Sequence, residues 1–300
     1  MNIKTTDGIV PASFAKSRDN GHIQCNICVN RCVIAQNRRG RCQRRVNKEG
    51  ILYADNYGMV VSHASDPIEK KPLYHFEPHT FTYSIAAAGC NFNCDHCQNW
   101  TISQPNLSRN TAGHVVPPEE IVLRAQMHHC SSISFTYTEP TIWFEYMCDV
   151  SRLAHKHSLS TVMVTNGAIT REALDCLIPS IDAYCVDIKA FSDDFYQNVC
   201  HAPADTLEQV LSSCKQAYDA GLHVEIVNLL IPGKNDDPED IAKLCDWIAS
   251  ELSKSTPVHF TRYYPQYQMQ IPPTPVQTLE NAARIAREHG LLYPYIGNVH

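Results

Sequence analysis

Three cysteines in one short stretch of the chain have the type and spacing of metal ligands. Cys90, Cys94 and Cys97 follow the pattern C-x3-C-x2-C, and His96 stands directly before the last thiol. Iron–sulfur clusters usually take four thiolates, so a [4Fe–4S] cluster held by these three keeps one iron open, as catalytic zinc sites keep an open position. The spacing therefore predicts a [4Fe–4S] cluster with a free iron. The alternatives are three buried thiols or part of a zinc site, which needs a fourth ligand nearby.

A second group of four cysteines lies nearer the start of the chain. Its spacing is C-x2-C-x3-C-x9-C, and its members are Cys25, Cys28, Cys32 and Cys42. Four thiolates in a short segment suit one tetrahedral zinc ion, which we favour, because such an ion folds a segment that lacks its own core. A second [4Fe–4S] cluster is the alternative. Arginines around these thiols offer charge compensation or a docking surface: Arg31, Arg38, Arg39, Arg41, Arg44 and Arg45.

Composition excludes several classes of protein. The chain has 300 residues, of which 44% are hydrophobic, and a formal charge of −6, which argues against nucleic acid as the main partner. No apolar run approaches the ~18 residues of a membrane span, and the first residues lack the apolar stretch of a signal peptide. The fourteen cysteines are therefore expected to be reduced thiols and metal ligands in a cytoplasmic protein. An oxygen-sensitive cluster implies anaerobic or micro-aerobic life.

The elements that position these residues are predicted from the change in pattern near residue 80. Residues 1–80 form a turn-rich, cysteine-rich segment, and in residues 81–300 short β-rich runs alternate with helical patterns, which indicates an α/β fold with a parallel sheet. Since a full eight-fold barrel needs about 250 residues, we expect a partial (β/α)6 TIM-like barrel with a lateral opening wide enough for a large substrate. The predicted strands are 82–88, 132–138, 161–165, 183–188, 223–231 and 258–263, with 291–296 as a seventh.

Polar residues follow several of these strands. The cysteine triplet comes after the first strand, Glu139 after the second, Asn166 after the third and Lys189 after the fourth. Chemistry in barrels of this kind takes place at the carboxyl ends of the strands. We therefore expect these side chains to meet at one edge of the sheet.

The cysteine triplet, with an aromatic residue before its last thiol, resembles the motif of radical S-adenosylmethionine (SAM) enzymes. The resemblance implies that the free iron binds the amino and carboxylate groups of SAM. One electron, supplied by a reduced flavodoxin or ferredoxin, then splits SAM into methionine and a 5′-deoxyadenosyl radical that abstracts hydrogen from a substrate. On this resemblance Cys90, Cys94 and Cys97 are the catalytic cluster ligands, and His96 belongs to the cofactor-binding set.

The same resemblance assigns roles to the residues at the second and third strand ends. Thr138 and Glu139 stand where radical SAM enzymes usually have Gly-Gly-Glu, so Glu139 is expected to receive the SAM ammonium, while Thr138 replaces a glycine. The run Thr165-Asn166-Gly167 resembles the Asp-Thr-Asn-Gly motif of glycyl-radical-enzyme activases, with Val164 in place of the aspartate.

Two further residues complete the expected cofactor-binding set. Lys189, in Asp187-Ile188-Lys189, matches the Asp-Leu-Lys of the activases and is expected to pair with the SAM carboxylate or with Asp187. Asn228 precedes the Pro-Gly loop 232–233, which resembles the family's loop under the adenosine.

Longer strings narrow the resemblance. Residues 66–76, 89–100, 136–140, 164–167 and 297–299 are similar to the radical SAM member of the AmmeMemoRadiSam system, a family related to pyruvate formate-lyase activating enzymes. The substrate is then either a glycyl residue of a partner protein or a small molecule. A non-catalytic adaptor with zinc at both cysteine groups is the third hypothesis.

Overall fold

The amino-terminal part of the chain consists of short strands. The computed structural model describes residues 8–104 and 114–299. Its first strands form two small antiparallel sheets, of order β1-β6-β5 and β2-β3-β4, and β7 pairs with β10. Their bounds are β1 (Val10–Pro11), β2 (Ala15–Ser17), β3 (Ile23–Cys25), β4 (Val33–Ile34), β5 (Arg45–Lys48), β6 (Ile51–Ala54), β7 (Met59–Val60) and β10 (His114–Val115).

One eight-stranded sheet carries the rest of the fold. Its order is β16-β15-β14-β13-β12-β11-β9-β8; all neighbours are parallel except β8, which runs antiparallel to β9. Strands such as β11 are buried along their whole length, as expected for a parallel sheet covered on both faces. The strands are β8 (Ser62–Pro67), β9 (Phe81–Ala86), β11 (Ser132–Phe135), β12 (Ser160–Thr165), β13 (Ala183–Asp187), β14 (His223–Leu230), β15 (Val258–Arg262) and β16 (Pro294–Gly297).

Helices connect the parallel strands, and their ends follow local sequence signals. Asp237 caps α7, since its Oδ1 accepts a hydrogen bond from the Glu239 amide at 2.8 Å, and Pro238 takes the first helical position. Gly221, with φ +85°, follows the end of α6. The helices are α1 (Trp100–Ser103), α2 (Pro118–Met127), α3 (Phe144–Lys156), α4 (Arg171–Leu177), α5 (Asp193–Asn198), α6 (Thr206–Asp219), α7 (Pro238–Trp247) and α8 (Val276–Glu288). None of the helices in the described residues has the length and hydropathy needed to cross a bilayer.

The α/β prediction with a partial barrel is confirmed, and all seven predicted runs coincide with strands, including the seventh. The sheet also contains β8, which the sequence did not predict, so it is larger than the six strands expected for the barrel. Asp66 on β8 pairs with Thr82 on β9, so the sheet extends across the predicted boundary at residue 80. That boundary stays a prediction.

The two faces of the sheet bury different partners. Met163 and Tyr184 belong to the large core that includes the helices, whereas their strand neighbours Val162 and Cys185 pack with Ile68 and Leu73 in a second cluster. Side chains alternate between the faces of a strand. The segment that follows β8, residues 68–79, therefore lies on the concave face, and we call it the lumen segment.

The lumen segment is held near the amino-terminal half of the strands. Glu225 on β14 accepts hydrogen bonds from the backbone amides of Tyr74 (3.1 Å) and His75 (2.8 Å). The His75 side chain in turn hydrogen-bonds the hydroxyl of Tyr295 on β16 at 2.7 Å. The segment thus runs from one edge strand, β8, to the other, β16, and bridges part of the lateral gap expected between them.

Candidate active site

The cysteine triplet lies in an irregular loop at the carboxyl end of β9. Gly89 opens the loop with φ +103°, and a Cβ there would stand 2.9 Å from the Cys42 carbonyl oxygen, so only glycine fits this conformation and this close approach. The Phe92 amide donates to Cys90 Sγ at 3.4 Å, and the Ser103 hydroxyl lies 3.0 Å from Cys97 Sγ. Such donors stabilise a thiolate when it binds a metal.

The buried setting of the thiols requires a cationic partner for their charged form. Burial raises the pKa of Cys90 well above its usual range, and the charge of Glu139 adds to this effect. Hydrogen bonding to Cys200, followed by burial, raises the pKa of Cys94. Because a metal ligand must be deprotonated, these thiols become thiolates by binding metal.

The three thiols of the loop have the donor chemistry of an iron–sulfur cluster. Cysteine thiolates hold such clusters, and Cys90, Cys94 and Cys97 lie within eight residues of one loop. This donor set fits a [4Fe–4S] cluster that keeps one iron without a protein ligand.

Buried polar atoms without hydrogen-bond partners near the cysteine loop indicate that a further group binds there. Within the described residues, Asn91 Nδ2, His96 Nδ1 and Asp187 Oδ1 are buried without a hydrogen-bond partner. A buried polar atom left unpaired costs about 1–3 kcal/mol. Asn91 was not in the predicted set, although its position beside Cys90 in the motif was a usable signal.

Glu139 is buried at the carboxyl end of β11 and accepts several hydrogen bonds. Its Oε1 accepts from the hydroxyls of Thr141 (2.6 Å) and Thr165 (2.8 Å), and its Oε2 accepts from the Asn166 amide (2.8 Å). Burial raises the pKa of Glu139, and these hydrogen bonds oppose the rise. A carboxylate has about four lone-pair sites, so Oε2 keeps one for a further donor.

Asn166 and Thr138 both contact the region of the cysteine loop. Asn166 Nδ2 donates to Asn91 Oδ1 at 2.7 Å, which joins the end of β12 to the loop. The Thr138 hydroxyl donates to the Ala87 carbonyl at 2.7 Å, directly after β9. Although Thr138 replaces a glycine, its backbone does not adopt the left-handed conformation that favours glycine. Tyr137 adopts it, with φ +64°, so the backbone strain lies one residue before Thr138.

Lys189 forms an ion pair beside the cysteines. Its Nζ lies 2.5 Å from Asp187 Oδ2, and although burial lowers its pKa, Asp187 and the Cys94 thiol raise it to a net value well above the usual range. His96 is buried close by, where burial and the charge of Lys189 lower its pKa to about 3. His96 is therefore neutral at physiological pH.

Asn228 lies on β14 and hydrogen-bonds the backbone. Its Nδ2 donates to the carbonyls of Ile188 (2.8 Å) and Lys189 (3.3 Å). The structure therefore shows Asn228 fixing the loop that carries Lys189.

Cys200 lies next to the site; its place after the fourth strand made it worth testing from the sequence, but a buried structural thiol was the favoured interpretation, and the thiol is indeed buried. The Cys200 thiol raises the pKa of the Cys94 thiol, and the Cys200 carbonyl accepts from the Asn93 amide at 3.2 Å. The neighbouring His201 pairs with Asp95 at 2.7 Å. The only signal for Cys200 in the sequence was its place in the loop after the fourth strand.

The four upstream cysteines converge on one small cavity. Arg45 and Gly40 line the same cavity. Cys25 ends β3 and the other three lie in loops: Cys28, Cys32 and Cys42.

Comparisons with known proteins show which proteins this chain resembles. The Radical SAM superfamily model matches residues 84–245, more than half of the chain. An uncharacterized protein of Methanocaldococcus jannaschii, MJ0808, is 46% identical over 291 residues, which is 96% of this chain and 85% of that protein. The pyruvate formate-lyase-activating enzyme of Streptococcus mutans is 24% identical over 175 residues, 55% of this chain and 65% of that enzyme.

A solved structure shows the same fold over nearly the whole chain. A radical SAM methyltransferase from Sphaerobacter thermophilus is similar with a TM-score of 0.58 and 16% identity, over 97% of this chain and 77% of that chain. The matched family implies an enzyme that uses a [4Fe–4S] cluster and SAM. On the family match and the full-length relative together, this chain belongs to the radical SAM superfamily.

Proposed function

We propose that the protein reductively cleaves SAM at a [4Fe–4S] cluster held by Cys90, Cys94 and Cys97 and then removes hydrogen from a glycyl residue of a partner protein. When bound, the cluster and SAM supply the 5′-deoxyadenosyl radical. The observation that carries the proposal is the meeting of three cysteines and a buried carboxylate, Glu139, at the carboxyl edge of the sheet. The similarity to an activating enzyme of Streptococcus mutans supports a protein substrate.

The residues of the chain bind and orient SAM in this proposal. Glu139 Oε2, which keeps a free lone pair, accepts from the SAM ammonium in a charge-assisted hydrogen bond. Lys189 pairs with the SAM carboxylate, and Asn228 holds the Lys189 carbonyl in place. Asn166 fixes the cysteine loop through Asn91.

The proposal also covers the system to which the protein belongs, its electron donor and its compartment. The proposed membership of the AmmeMemoRadiSam system is supported by the string at residues 66–76, which resembles that family. We propose a reduced flavodoxin or ferredoxin as the electron donor and the cytoplasm as the compartment.

A small polar substrate is a second candidate, and one observation favours it. On the concave face, Ser84 Oγ and Ser132 Oγ are buried without a partner among the described residues. Lys71 pairs with Asp66 at 2.7 Å on the same side of the sheet. Unpaired hydroxyls beside a buried ion pair suit a small molecule that donates and accepts hydrogen bonds.

The test is SAM cleavage under anaerobic conditions. The reconstituted protein, SAM and dithionite are incubated, and 5′-deoxyadenosine is measured by mass spectrometry. Cys94→Ala is expected to reduce its formation to background, whereas Cys176→Ala, at an exposed cysteine, keeps the wild-type rate. Deoxyadenosine formed by Cys94→Ala at the wild-type rate contradicts the proposal. Deuterium transfer from glycine-labelled partner protein or from labelled small molecules then distinguishes the two substrate classes.

A further inference from the structure

The four upstream cysteines lie around one cavity, and the structure helps to identify the metal group that they bind. We propose that this site holds a second [4Fe–4S] cluster, with every iron bound by a cysteine, beside the first cluster. Its ligands are Cys25, Cys28, Cys32 and Cys42.

Hydrogen-bond donors point at the thiols of this site. The Arg41 amide donates to Cys32 Sγ at 3.4 Å, and Asn30 Nδ2 donates to Cys28 Sγ at 3.6 Å. Gly40 lines the cavity, and a Cβ there would stand 3.5 Å from Cys32 Sγ. A small residue and two N–H donors thus lie beside sulfur atoms that carry negative charge when they bind metal.

Arg45 supplies an independent sign of a charged occupant. Its side chain is 1% exposed and lines the cavity, and its Nη1 pairs with Glu145 at 2.8 Å. The Arg45 Nε atom is buried and has no hydrogen-bond partner in the described part of the chain. A buried cationic N–H without an acceptor costs more than a neutral one, so an anionic occupant would complete the site.

The position of the site favours a cluster over zinc, which the sequence analysis had favoured. The four cysteines line one cavity, and neighbouring residues hydrogen-bond the loop of the first cluster. Zinc has no redox chemistry, whereas a second cluster at this position would exchange electrons with the first. A cubane bound by four thiolates leaves no open corner.

Three contacts join this site to the loop of the first cluster. Gly89 packs against the Cys42 carbonyl, as its close approach shows. Asn30 Nδ2 donates to the Asn91 carbonyl at 2.8 Å, and Arg44 Nε donates to the Ala88 carbonyl at 2.9 Å. The two clusters would therefore be neighbours.

Neighbouring clusters exchange electrons. A low-potential one-electron donor protein, or dithionite in vitro, is oxidised by one electron as the second cluster goes from its 2+ to its 1+ state. The electron then passes to the first cluster, which returns the second to 2+. No bond is formed or broken and no proton moves in this exchange.

The test removes the first cluster and leaves the second. The variant Cys90→Ala/Cys94→Ala/Cys97→Ala is purified without oxygen and reconstituted with iron and sulfide. We expect about four iron atoms per chain, against about eight in the wild type, and an electron paramagnetic resonance (EPR) signal after dithionite that SAM leaves unchanged. Bound zinc in place of iron, or no iron, overturns the proposal.

A second measurement tests whether the two clusters are close to each other, and it does not depend on that variant. In the fully reduced wild type, two adjacent paramagnetic clusters are expected to broaden each other's EPR signals. The signals should sharpen again when only one cluster is reduced at an intermediate potential. A wild-type protein with about four irons and stoichiometric zinc, or with two unbroadened signals, overturns the proposal.

Discussion

At the scale of single residues, the protein itself fills only some of the hydrogen-bonding positions of the polar side chains in the site. Glu139 accepts hydrogen bonds from Thr141, Thr165 and Asn166, which hold the carboxylate in one orientation. The sequence could predict Glu139 and the cysteines because a strand end and a spacing are local patterns. It could mark Cys200 only by its place after the fourth strand, because that thiol meets Cys94 only through the fold.

The charge of Glu139 is expected to contribute to SAM affinity. Glu139→Gln keeps the shape but removes the charge, and a hydrogen bond to a charged group contributes about 1.5–3 kcal/mol, so the Kd for SAM should rise about 10- to 100-fold. Anaerobic equilibrium dialysis measures the Kd, and iron analysis should show an unchanged cluster. Glu172→Gln, at an exposed position on α4, is the control. Equal affinities in Glu139→Gln and the wild type would show that Glu139 does not bind the ammonium.

The thiol of Cys200 is expected to tune the first cluster. Hydrogen bonds to the sulfurs raise the reduction potential of such clusters. Cys200→Ala removes one, so the midpoint potential should fall by about 20–60 mV, with the iron content unchanged. Cys214→Ala, at an equally buried thiol on α6, is the matched control in an EPR-monitored redox titration. Loss of the cluster in Cys200→Ala alone would mean that Cys200 is a ligand, and an unchanged potential would remove its tuning role.

At the scale of secondary structure, the parallel strands were predictable and their antiparallel neighbour was not. Strands β9 and β11 are short runs of β-formers between turn signals, a strong local pattern. In β8 the run Ser62-His63-Ala64-Ser65-Asp66 is mostly polar, and it forms a strand because β9 offers a free edge. The lumen segment was missed for a similar reason, since its anchor Glu225 lies 150 residues beyond His75.

The anchor of the lumen segment makes the fold sensitive to acid. Although burial of Glu225 raises its pKa, hydrogen bonds from His223, His259 and two backbone amides lower it to about 2. Because this folded-state pKa lies below the unfolded value of about 4.3, the stabilisation is present above pH ~4.3 and is lost as the pH falls toward ~2. Its size is up to about 3 kcal/mol.

Urea unfolding followed by circular dichroism between pH 7 and 3 measures this effect. The free energy of unfolding of the wild type is expected to fall more steeply below pH ~4.3 than that of Glu225→Gln, which lacks the titrating group. Glu280→Gln, at an exposed position on α8, should follow the wild type. Parallel curves for Glu225→Gln and the wild type would remove Glu225 as the source of the acid sensitivity.

At the scale of the whole molecule, the cysteine-rich start of the chain packs against the catalytic edge of the sheet. The α/β class and the parallel strands followed from alternating patterns, which are local. The joining of the two cysteine groups did not, because the contact between Asn30 and Asn91 spans 61 residues. Sequence spacing identified each group of thiols, whereas only the fold shows that the two groups are neighbours.

The central claim is that the first cluster keeps one iron free for SAM. Electron–nuclear double resonance on the dithionite-reduced protein, with SAM carrying 17O in its carboxylate, tests this claim directly. We predict an altered EPR spectrum and a 17O coupling that shows the carboxylate bound to iron. A spectrum that SAM leaves unchanged, without 17O coupling, would mean that a side chain such as Cys200 occupies the fourth position and would contradict the account.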